Sequence, residues 1–498
     1  MATPTLKRSW GFVGISSNNA GIGNNFVINL EASGTPCALA AGDCVVVAVR
    51  CPFARTVTVT DNKAGGTNTY TSQVSGHDAG SVSKAAIFTS IATGFASQIT
   101  ITFDTNTADI QIDAAIFYNV AASSIIDGTS FTADITPTNN TNPNVSAGSM
   151  TTTVDGDLIY YIAFDQSSAL GIVNTINSTA WGIGYSGLFA ETNFNGAASQ
   201  YIVQSSHGAI NPGMLFSQTT HDTFLALAIA IKPGTGGAAP TGNFYILRTQ
   251  HFFNNVQASV NLTTAFPTSG NLFVAINEAG TVGVSMTSVT DSINPTWTEE
   301  TAHPATYPQV FFAPNATPGN AMTVTLHFGA GTGQDLVCLY DIVGAATAPL
   351  DTGVTVPGGA DTSNVTATNS GATKNTGSQV GNGGANAPLD EAPSIIPTTA
   401  TGLIIAACQM GNGPITGANQ TFDYMSATWS ASGDSQSFSN GDGMGHVFQT
   451  STSNQDIHWT CSGQSVASSW AGLAISFKAA PAVQDTVSES LVYRYSGD

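Results

Sequence analysis

Residues 224–233 read FLALAIAIKP, and residues 470–479 read WAGLAISFKA. Each stretch is a nearly unbroken apolar run that closes on a lysine, Lys232 or Lys478. Short apolar runs bounded by turn residues are typical of strands that are buried on both faces of a sheet. Because the two stretches also match each other position by position, they indicate a repeated unit.

Further matches follow in the same order along the chain. Three pairs of segments carry them: GDCVVVAV (42–49) with GNLFVAI (270–276), ITITF (99–103) with VTLHF (324–328), and GDLIYYIAF (156–164) with TGLIIAACQ (401–409). Tyr118 is matched with Tyr340 in the same series. The constant order predicts an internal duplication, with copies at 1–236 and 243–479 joined by a flexible linker at 237–242. The second copy carries a low-complexity insert at about 350–400, and a tail follows at 480–498.

The pattern inside each copy is that of β-strands. FVINLE (26–31) and MTVTLHF (322–328) alternate apolar and polar residues, and Gly, Asn, Asp and Pro interrupt such segments. No segment has the 3.6-residue period of an amphipathic helix. We therefore expect an all-β protein of two tandem antiparallel β-sandwich, jelly-roll-like domains. The continuous runs at 45–49 and 225–231 are predicted to be central strands.

Charge excludes two classes of partner. Of 498 residues, 11 are Lys or Arg and 31 are Asp or Glu, which gives a formal net charge of −20. Such a chain repels the phosphates of nucleic acids and the surface of anionic membranes. No run is long and apolar enough for membrane insertion. Lys7 and Arg8 precede only a broken apolar stretch, so no secretory signal is apparent. A virion protein is made in the cytoplasm and released by lysis, so it needs no such signal. We therefore expect an extracellular or virion-surface location.

No catalytic or cofactor-binding residue is predicted. The motif HExxH and the P-loop are absent, and GYSG at 184–187 is followed by Leu188 where a nucleophile elbow needs glycine. GAGTGQD at 329–335 is interpreted as a hairpin connection between two strands. We expect a protein that is not an enzyme.

Metal binding has limited support in the sequence. The six cysteines contain no CxxC pair, and Cys44, Cys338 and Cys408 lie in apolar strand-like runs that predict burial. Three acidic segments could bind calcium through oxygen atoms: DNKAGG (61–66), VDGDL (154–158) and SNGDGMG (439–445). The same residue types are required by turns, so no metal ligand is assigned and calcium stays an open alternative.

Two groups of side chains are candidate contact sites. Trp181, Tyr185 and Trp429 could stack on sugars, although the matched positions of the two tryptophans also fit a repeated core position. The apolar residues of the tail share one face at period two, which predicts an amphipathic strand: Val487, Leu491, Tyr493 and Tyr495. This strand is predicted to pair with a sheet edge of a neighbouring subunit or to fold back on its own domain.

The tandem repeat and the ending TVSESLVYRY resemble phage structural proteins and bacterial surface proteins with sandwich repeats. The resemblance implies a non-enzymatic structural subunit of a phage virion (capsid, tail or fibre) or of an extracellular filament. Its partners would be copies of itself or other structural subunits. The alternative is a surface module that binds a receptor or a host-surface glycan through long loops. A polysaccharide-cleaving enzyme is a third class, with no carboxylate pair to support it.

Overall fold

A computed structural model describes the chain in segments. They are residues 2–12, 24–78, 80–105, 107, 110–135, 144–165, 176–180, 185–191, 197–218, 223–255, 259–266, 271–279, 286–294, 296–299, 309–317, 319–329, 334–351, 387–389, 396–410, 422–424, 430–431, 442–453, 459–461 and 470–481. All of the regular structure in these segments is β-strand, which confirms the predicted all-β class. Among these residues no helix could span a membrane.

The strands fall into four consecutive groups. The first contains β1 (Thr5–Phe12), β2 (Asn25–Asn29), β3 (Cys44–Pro52), β4 (Val57–Asp61), β5 (Thr71–His77), β6 (Ser83–Ile91), β7 (Gln98–Phe103) and β8 (Gln111–Tyr118). The second contains β9 (Ile126–Ile135), β10 (Asn144–Ser146), β11 (Met150–Thr151), β12 (Leu158–Asp165), β13 (Ile176–Ala180), β14 (Ser186–Glu191), β15 (Ala197–Val203), β16 (Ala209–Ile210), β17 (Gly213–Gln218) and β18 (Phe224–Ile231). The third contains β19 (Tyr245–Asn255), β20 (Ser259–Phe266), β21 (Asn271–Ala279), β22 (Met286–Asp291), β23 (Thr298–Glu299), β24 (Gln309–Ala316), β25 (Gly319–Phe328) and β26 (Gln334–Val343). The fourth contains β27 (Ala345–Leu350), β28 (Ala387–Leu389), β29 (Gly402–Met410), β30 (Phe422–Tyr424), β31 (Ser430–Ala431), β32 (Asp442–Gln449), β33 (Trp459–Cys461) and β34 (Trp470–Ala479).

A ten-stranded sheet contains strands from both halves of the chain, in the order β23-β24-β21-β26-β19-β1-β8-β3-β6-β5. Its two halves meet where β1 pairs with β19. This pair is parallel, whereas every other pairing between the strands described is antiparallel. The predicted antiparallel arrangement therefore holds within each half and fails at the contact between them.

The remaining strands form smaller sheets above and below. Two have five strands, β14-β15-β12-β18-β9 and β27-β34-β29-β32-β31. Four have three strands, β2-β7-β4, β10-β17-β13, β20-β25-β22 and β28-β33-β30. A two-stranded sheet, β11-β16, completes the set. One strand order thus recurs: outward from the centre, 1-8-3-6-5 in the first group is matched by 19-26-21-24-23 in the third.

The halves place their covering layers on opposite faces of the ten-stranded sheet. In β3, Val46 faces the core below the first five-stranded sheet, and Val47 faces the core under β2-β7-β4. In β21 the arrangement is reversed. Phe273 shares the core of Val46 and packs under β20-β25-β22, whereas Val274 packs on the second five-stranded sheet. One hydrophobic core therefore extends across both halves on one face.

The continuous apolar runs are central strands, as predicted. β3 lies between β8 and β6, and β18 lies between β12 and β9. All eight residues of β18 are buried, because layers cover both of its faces. Cys44 and Cys338 are buried, as expected, and the side chain of Cys408 lies outside the described part. Burial raises the pKa of Cys44 to about 12.

The strands on either side of GAGTGQD do not pair with each other, so its interpretation as a hairpin connection was wrong. The strand before it, β25, pairs with β20 and β22, whereas the strand after it, β26, pairs with β19 and β21. The strands on either side of the segment therefore belong to different layers. Apolar strand patterns on either side of a Gly-rich segment do not specify which sheet each strand joins, because both layers share one core.

The joint between the halves packs on the first half. Gly234 donates its amide to Asn119 O at 2.9 Å, and Gly236 donates to Val120 O at 2.8 Å. Within the predicted linker, the Ala238 amide donates to Asp43 Oδ1 at 3.2 Å. The joint is therefore hydrogen-bonded to the first half, and the flexibility that its Gly-rich composition predicts stays a prediction.

Candidate functional site

Two buried arginines lie at the contact between the halves. The register of β1 and β19 pairs Ser9 with Arg248 and Trp10 with Thr249. Because side chains alternate along a strand, Arg248 and Ser9 share one face of the sheet, and Arg8 and Trp10 share the other. The guanidinium of Arg8 lies 4.6 Å from the ring centroid of Trp10, which fits this assignment. Both arginines are at most 1% exposed.

All three nitrogen atoms of the Arg8 guanidinium donate hydrogen bonds, and the partners come from both halves of the chain. Its Nε donates to Glu31 Oε1 at 3.0 Å, and its Nη2 donates to Thr249 Oγ1 at 2.7 Å. Its Nη1 donates to Ser9 O at 3.1 Å. His446 of β32 donates from Nε2 to Glu31 Oε2 at 2.7 Å. This buried network, called here the Arg8 cluster (Arg8, Glu31, Thr249 and His446), connects the ten-stranded sheet, the segment after β2 and the second five-stranded sheet.

Electrostatics within the Arg8 cluster favour an ionised Glu31. Burial alone raises the pKa of this carboxyl group, but the charges of His446 and Arg8 and their hydrogen bonds outweigh it. The result is a pKa lowered from 4.5 to about 2. A buried carboxylate with cationic partners and hydrogen bonds is compensated for its lost hydration, so the cluster is stable only while all of its members are present.

Arg248 has a simpler environment on the opposite face. Its Nη1 donates to Asp341 Oδ2 at 2.9 Å, and both side chains are buried. Within the described segments its Nε and Nη2 have no hydrogen-bond partner, and neither does Oε1 of Gln250. On this face of the sheet the contact between the halves therefore consists of one ion pair, whereas the opposite face holds the Arg8 cluster.

A second buried contact connects the ten-stranded sheet to the first five-stranded sheet. Tyr160 of β12 donates its hydroxyl to Asp113 Oδ2 of β8 at 2.5 Å. Burial raises the pKa of Asp113 to about 7, and the hydrogen bond from Tyr160 offsets this rise only in part. A carboxyl group in this state is close to half protonated at neutral pH.

Two of the calcium candidates are turn structures with internal hydrogen bonds. Asp61 accepts hydrogen bonds from the Lys63 and Asn68 amides at 3.2 and 3.0 Å and from the Tyr70 hydroxyl at 3.1 Å. In the second segment, Asp155 is exposed and pairs with His207 at 2.6 Å. Of the third segment, residues 442–445 begin β32, and 439–441 lie outside the described residues. Across the described ranges no group of three or more His, Cys, Asp or Glu side chains is placed to hold a metal.

Of the predicted contact residues, only Tyr185 belongs to the described part. It is buried at 6% exposure, so stacking on a sugar would require its ring to become exposed. Trp181, Trp429 and the four tail residues Val487, Leu491, Tyr493 and Tyr495 lie outside the described residues. Among the described residues neither group is represented by more than one member, and both hypotheses stay predictions.

The Arg8 cluster was missed because each of its members looks ordinary alone. In the sequence, Lys7 and Arg8 have the appearance of the basic part of a leader. The usable signal is a charged residue inside an apolar strand pattern, such as Arg8 before Trp10 or Asp113 in QIDAAIF, in a chain with only 8% charged residues. No protein-family model matches the sequence, and comparison with curated proteins finds no match either.

Proposed function

We propose that the chain is a non-enzymatic structural subunit of an extracellular assembly, of the kind found in a phage capsid, tail or fibre or in an extracellular filament. The observation that carries the proposal is one strand order that recurs in successive segments around a shared ten-stranded sheet. Assembly subunits need a rigid body, and backbone pairing of β1 with β19 and the buried Arg8 cluster supply one.

The strand order supports a more detailed architecture than one sandwich per copy. In an eight-stranded jelly roll the two sheets run 1-8-3-6 and 2-7-4-5. Strands β1–β8 run 1-8-3-6-5 and 2-7-4, so only the fifth strand changes sheets. The other groups follow the same order when the strands of each group are counted from its first strand. This holds for β9–β18 once the two-stranded sheet β11-β16 is left out, and for β19–β26 and β27–β34 as they stand. We infer two jelly-roll units in each copy.

Repeated hydrogen-bonded contacts support the duplication. Thr153 donates its amide and hydroxyl to the carboxylate of Asp127, and Thr398 does the same to Asp351. Asp127 follows Ile126, which pairs with Ile231 of β18, and Asp351 follows Leu350, which pairs with Phe477 of β34. Identical contacts at corresponding places are expected from a common ancestral unit, since chance matches of strand patterns would not reproduce them.

A second repeated contact supports the same conclusion in the first and third groups. Asn68 Oδ1 accepts the Thr93 amide at 2.8 Å, and Asn294 Oδ1 accepts the Thr317 amide at 2.6 Å. The strand registers also refine the alignment of the copies. Thr5 pairs with Tyr118 and Tyr245 pairs with Val343, so Val343, rather than Tyr340, is the better match for Tyr118.

Open sheet edges are the proposed assembly surface. In the described part, β4 pairs with β7 alone, so its second edge has no strand beside it. Thr58 and Thr60 of this strand are exposed. An extended segment can bind such an edge through backbone hydrogen bonds. The predicted tail strand, with Leu491 and Tyr493 on its apolar face, is the candidate segment.

Light scattering after size-exclusion chromatography tests the proposal. We expect the full-length chain to form assemblies larger than 50.9 kDa and the chain without 481–498 to stay folded and monomeric. The matched pair of variants is Leu491→Ser with Tyr493→Ser, which should block assembly, and Ser490→Ala on the other face, which should not. A full-length chain that stays monomeric at every concentration contradicts self-assembly and favours the receptor- or glycan-binding alternative, which a glycan array then tests.

A further inference from the structure

A lysine and an aspartate are in direct contact inside the first half of the chain. Lys7 belongs to β1, and Asp43 directly precedes β3. The Lys7 Nζ atom lies 2.8 Å from Asp43 Oδ2, and the two side chains are 2% and 0% exposed. Because β8 lies between β1 and β3 in the ten-stranded sheet, the contact connects two strands that are not hydrogen-bonded to each other. An amine and a carboxyl group therefore touch in a site closed to bulk water.

Two backbone amides hold the Asp43 carboxyl group in place. The Ala40 amide donates to Oδ2 at 2.8 Å, and the Ala238 amide donates to Oδ1 at 3.2 Å. A backbone N–H on Oδ1 stabilises the negative charge that develops on that oxygen when a nucleophile attacks the carboxyl carbon. The site thus combines a positioned nitrogen with a carboxyl group that is polarised for attack.

Burial also favours the neutral forms of both groups, which are the reactive ones. Burial raises the pKa of Asp43, although the hydrogen bond and charge of Lys7 and the amides of Ala40 and Ala238 act against this rise. In such a site a proton passes more readily from the ammonium to the carboxylate than it does in water. The products are an amine with a free electron pair and a carboxylic acid.

We propose that Lys7 and Asp43 condense to form an amide bond between their side chains. The Nζ electron pair attacks Asp43 Cγ, and the new N–C bond leaves the negative charge on Oδ1, beside the Ala238 amide. The Cγ–Oδ2 bond then breaks, and Oδ2 leaves as water with the carboxylic acid proton and one amine proton. The step needs no oxidant, reductant or other reactant. Contact between the two groups accelerates it, and exclusion of bulk water opposes hydrolysis of the product.

The bond would link β1 covalently to the start of β3, and each chain would contain one. The strand that it fixes is the one through which the halves meet, since β1 pairs with β19. In β19 the register irregularity that corresponds to Lys7 falls at Leu247, which has no amine. Condensation within one chain does not depend on assembly, so this inference stands or falls separately from the proposed structural function.

Mass spectrometry of the full-length chain under denaturing and reducing conditions tests the bond. We expect a mass lower than that of the sequence by one water molecule. Lys7→Arg keeps a cation beside Asp43 but supplies no nucleophilic amine, so this variant should have the full mass of its sequence. The matched control is Lys232→Arg, because Lys232 Nζ donates to the backbone oxygen of Ser124 at 3.2 Å, and it should keep the deficit. Circular dichroism establishes that both variants keep their β-structure.

Digestion of the wild-type chain with trypsin locates the bond without any substitution. Trypsin does not cleave after an acylated lysine, so we expect residues 1–8 joined to residues 9–50 in one fragment. A wild-type chain with the full mass of its sequence shows that the pair stays ionic, and the proposal is then wrong. A deficit that persists in Lys7→Arg, or one without the joined fragment, places the lost water elsewhere and equally overturns the proposal.

Discussion

Arg8 and Arg248 lie on opposite faces of the ten-stranded sheet, although their strands are hydrogen-bonded neighbours. The parallel register pairs Ser9 with Arg248, and alternation along β1 turns Arg8 to the other side. Arg8 is hydrogen-bonded to both halves through Glu31 and Thr249, whereas the hydrogen-bond partner of Arg248 within the described segments is Asp341. The polar contact between the halves is therefore concentrated on one face.

Replacing the two arginines should have unequal effects. Arg8→Met leaves the Glu31 carboxylate with one ionic partner in a fully buried site and removes the hydrogen bond to Thr249. Arg248→Met removes a guanidinium of which two nitrogen atoms have no hydrogen-bond partner among the described residues, although it leaves Asp341 without this ion partner. We expect Arg8→Met to lower the free energy of unfolding by about 3–5 kcal/mol and Arg248→Met by distinctly less. Urea denaturation of both variants measures the difference, and equal losses would contradict the unequal partnering.

Acid should destabilise the fold through Glu31. Its pKa in the folded chain is about 2, below the ordinary 4.5, so its contribution is present above pH 4.5 and is lost as the pH falls towards 2. Glu31→Gln should lower the free energy of unfolding at pH 7 by about 3–5 kcal/mol and flatten its acid dependence. Urea titrations between pH 2 and 7 test this. Glu299→Gln, in the edge strand β23 of the ten-stranded sheet, is the control and should change stability by less than about 0.5 kcal/mol.

Asp113 should have the opposite pH dependence. Its pKa in the folded chain is raised from 3.8 to about 7, so its contribution is full below pH 3.8 and is lost as the pH rises to 7. Asp113→Asn keeps an acceptor for the Tyr160 hydroxyl and cannot ionise, so the decline between pH 4 and 8 should become smaller. Because burial also raises the pKa of Asp157 to about 7, Asp113→Asn with Asp157→Asn should remove more of the decline than either change alone. Denaturation midpoints at pH 5 and 8 measure this, and an unchanged decline in both single variants would refute the assignment.

The joint between the halves should be sensitive to added volume. Gly237 has φ +78°, and a Cβ there would lie 2.5 Å from Asp43 Oδ1 and 2.9 Å from Tyr118 Cβ. Gly242 has φ +80° with nothing within 4 Å, so it is a matched control for backbone strain alone. We expect Gly242→Ala to cost about 1–2 kcal/mol and Gly237→Ala clearly more. Similar losses in the melting temperature would show that the joint is not packed as described.

Several features of the fold were predictable from local sequence. Alternation in ITITF and unbroken apolar runs such as FLALAIAI predict strands and which of them are central, because side-chain period directly reports burial on one face or two. The burial of Cys44 and Cys338 follows from the same runs. The repeated order of these segments led to the proposed duplication, to which the Asp127–Thr153 and Asp351–Thr398 contacts add support.

Only the tertiary structure decided how these strands combine. Glu31 and His446 are separated by 415 positions, yet they share a hydrogen bond, and no local pattern connects them. The sequence pattern likewise does not show that β1 pairs in parallel with β19, that Asp127 and Asp157 are neighbours, or which sheet each strand joins. The reason is physical: alternation depends on whether a side chain faces a core, whereas pairing, register and buried polar partners depend on which distant segment covers it.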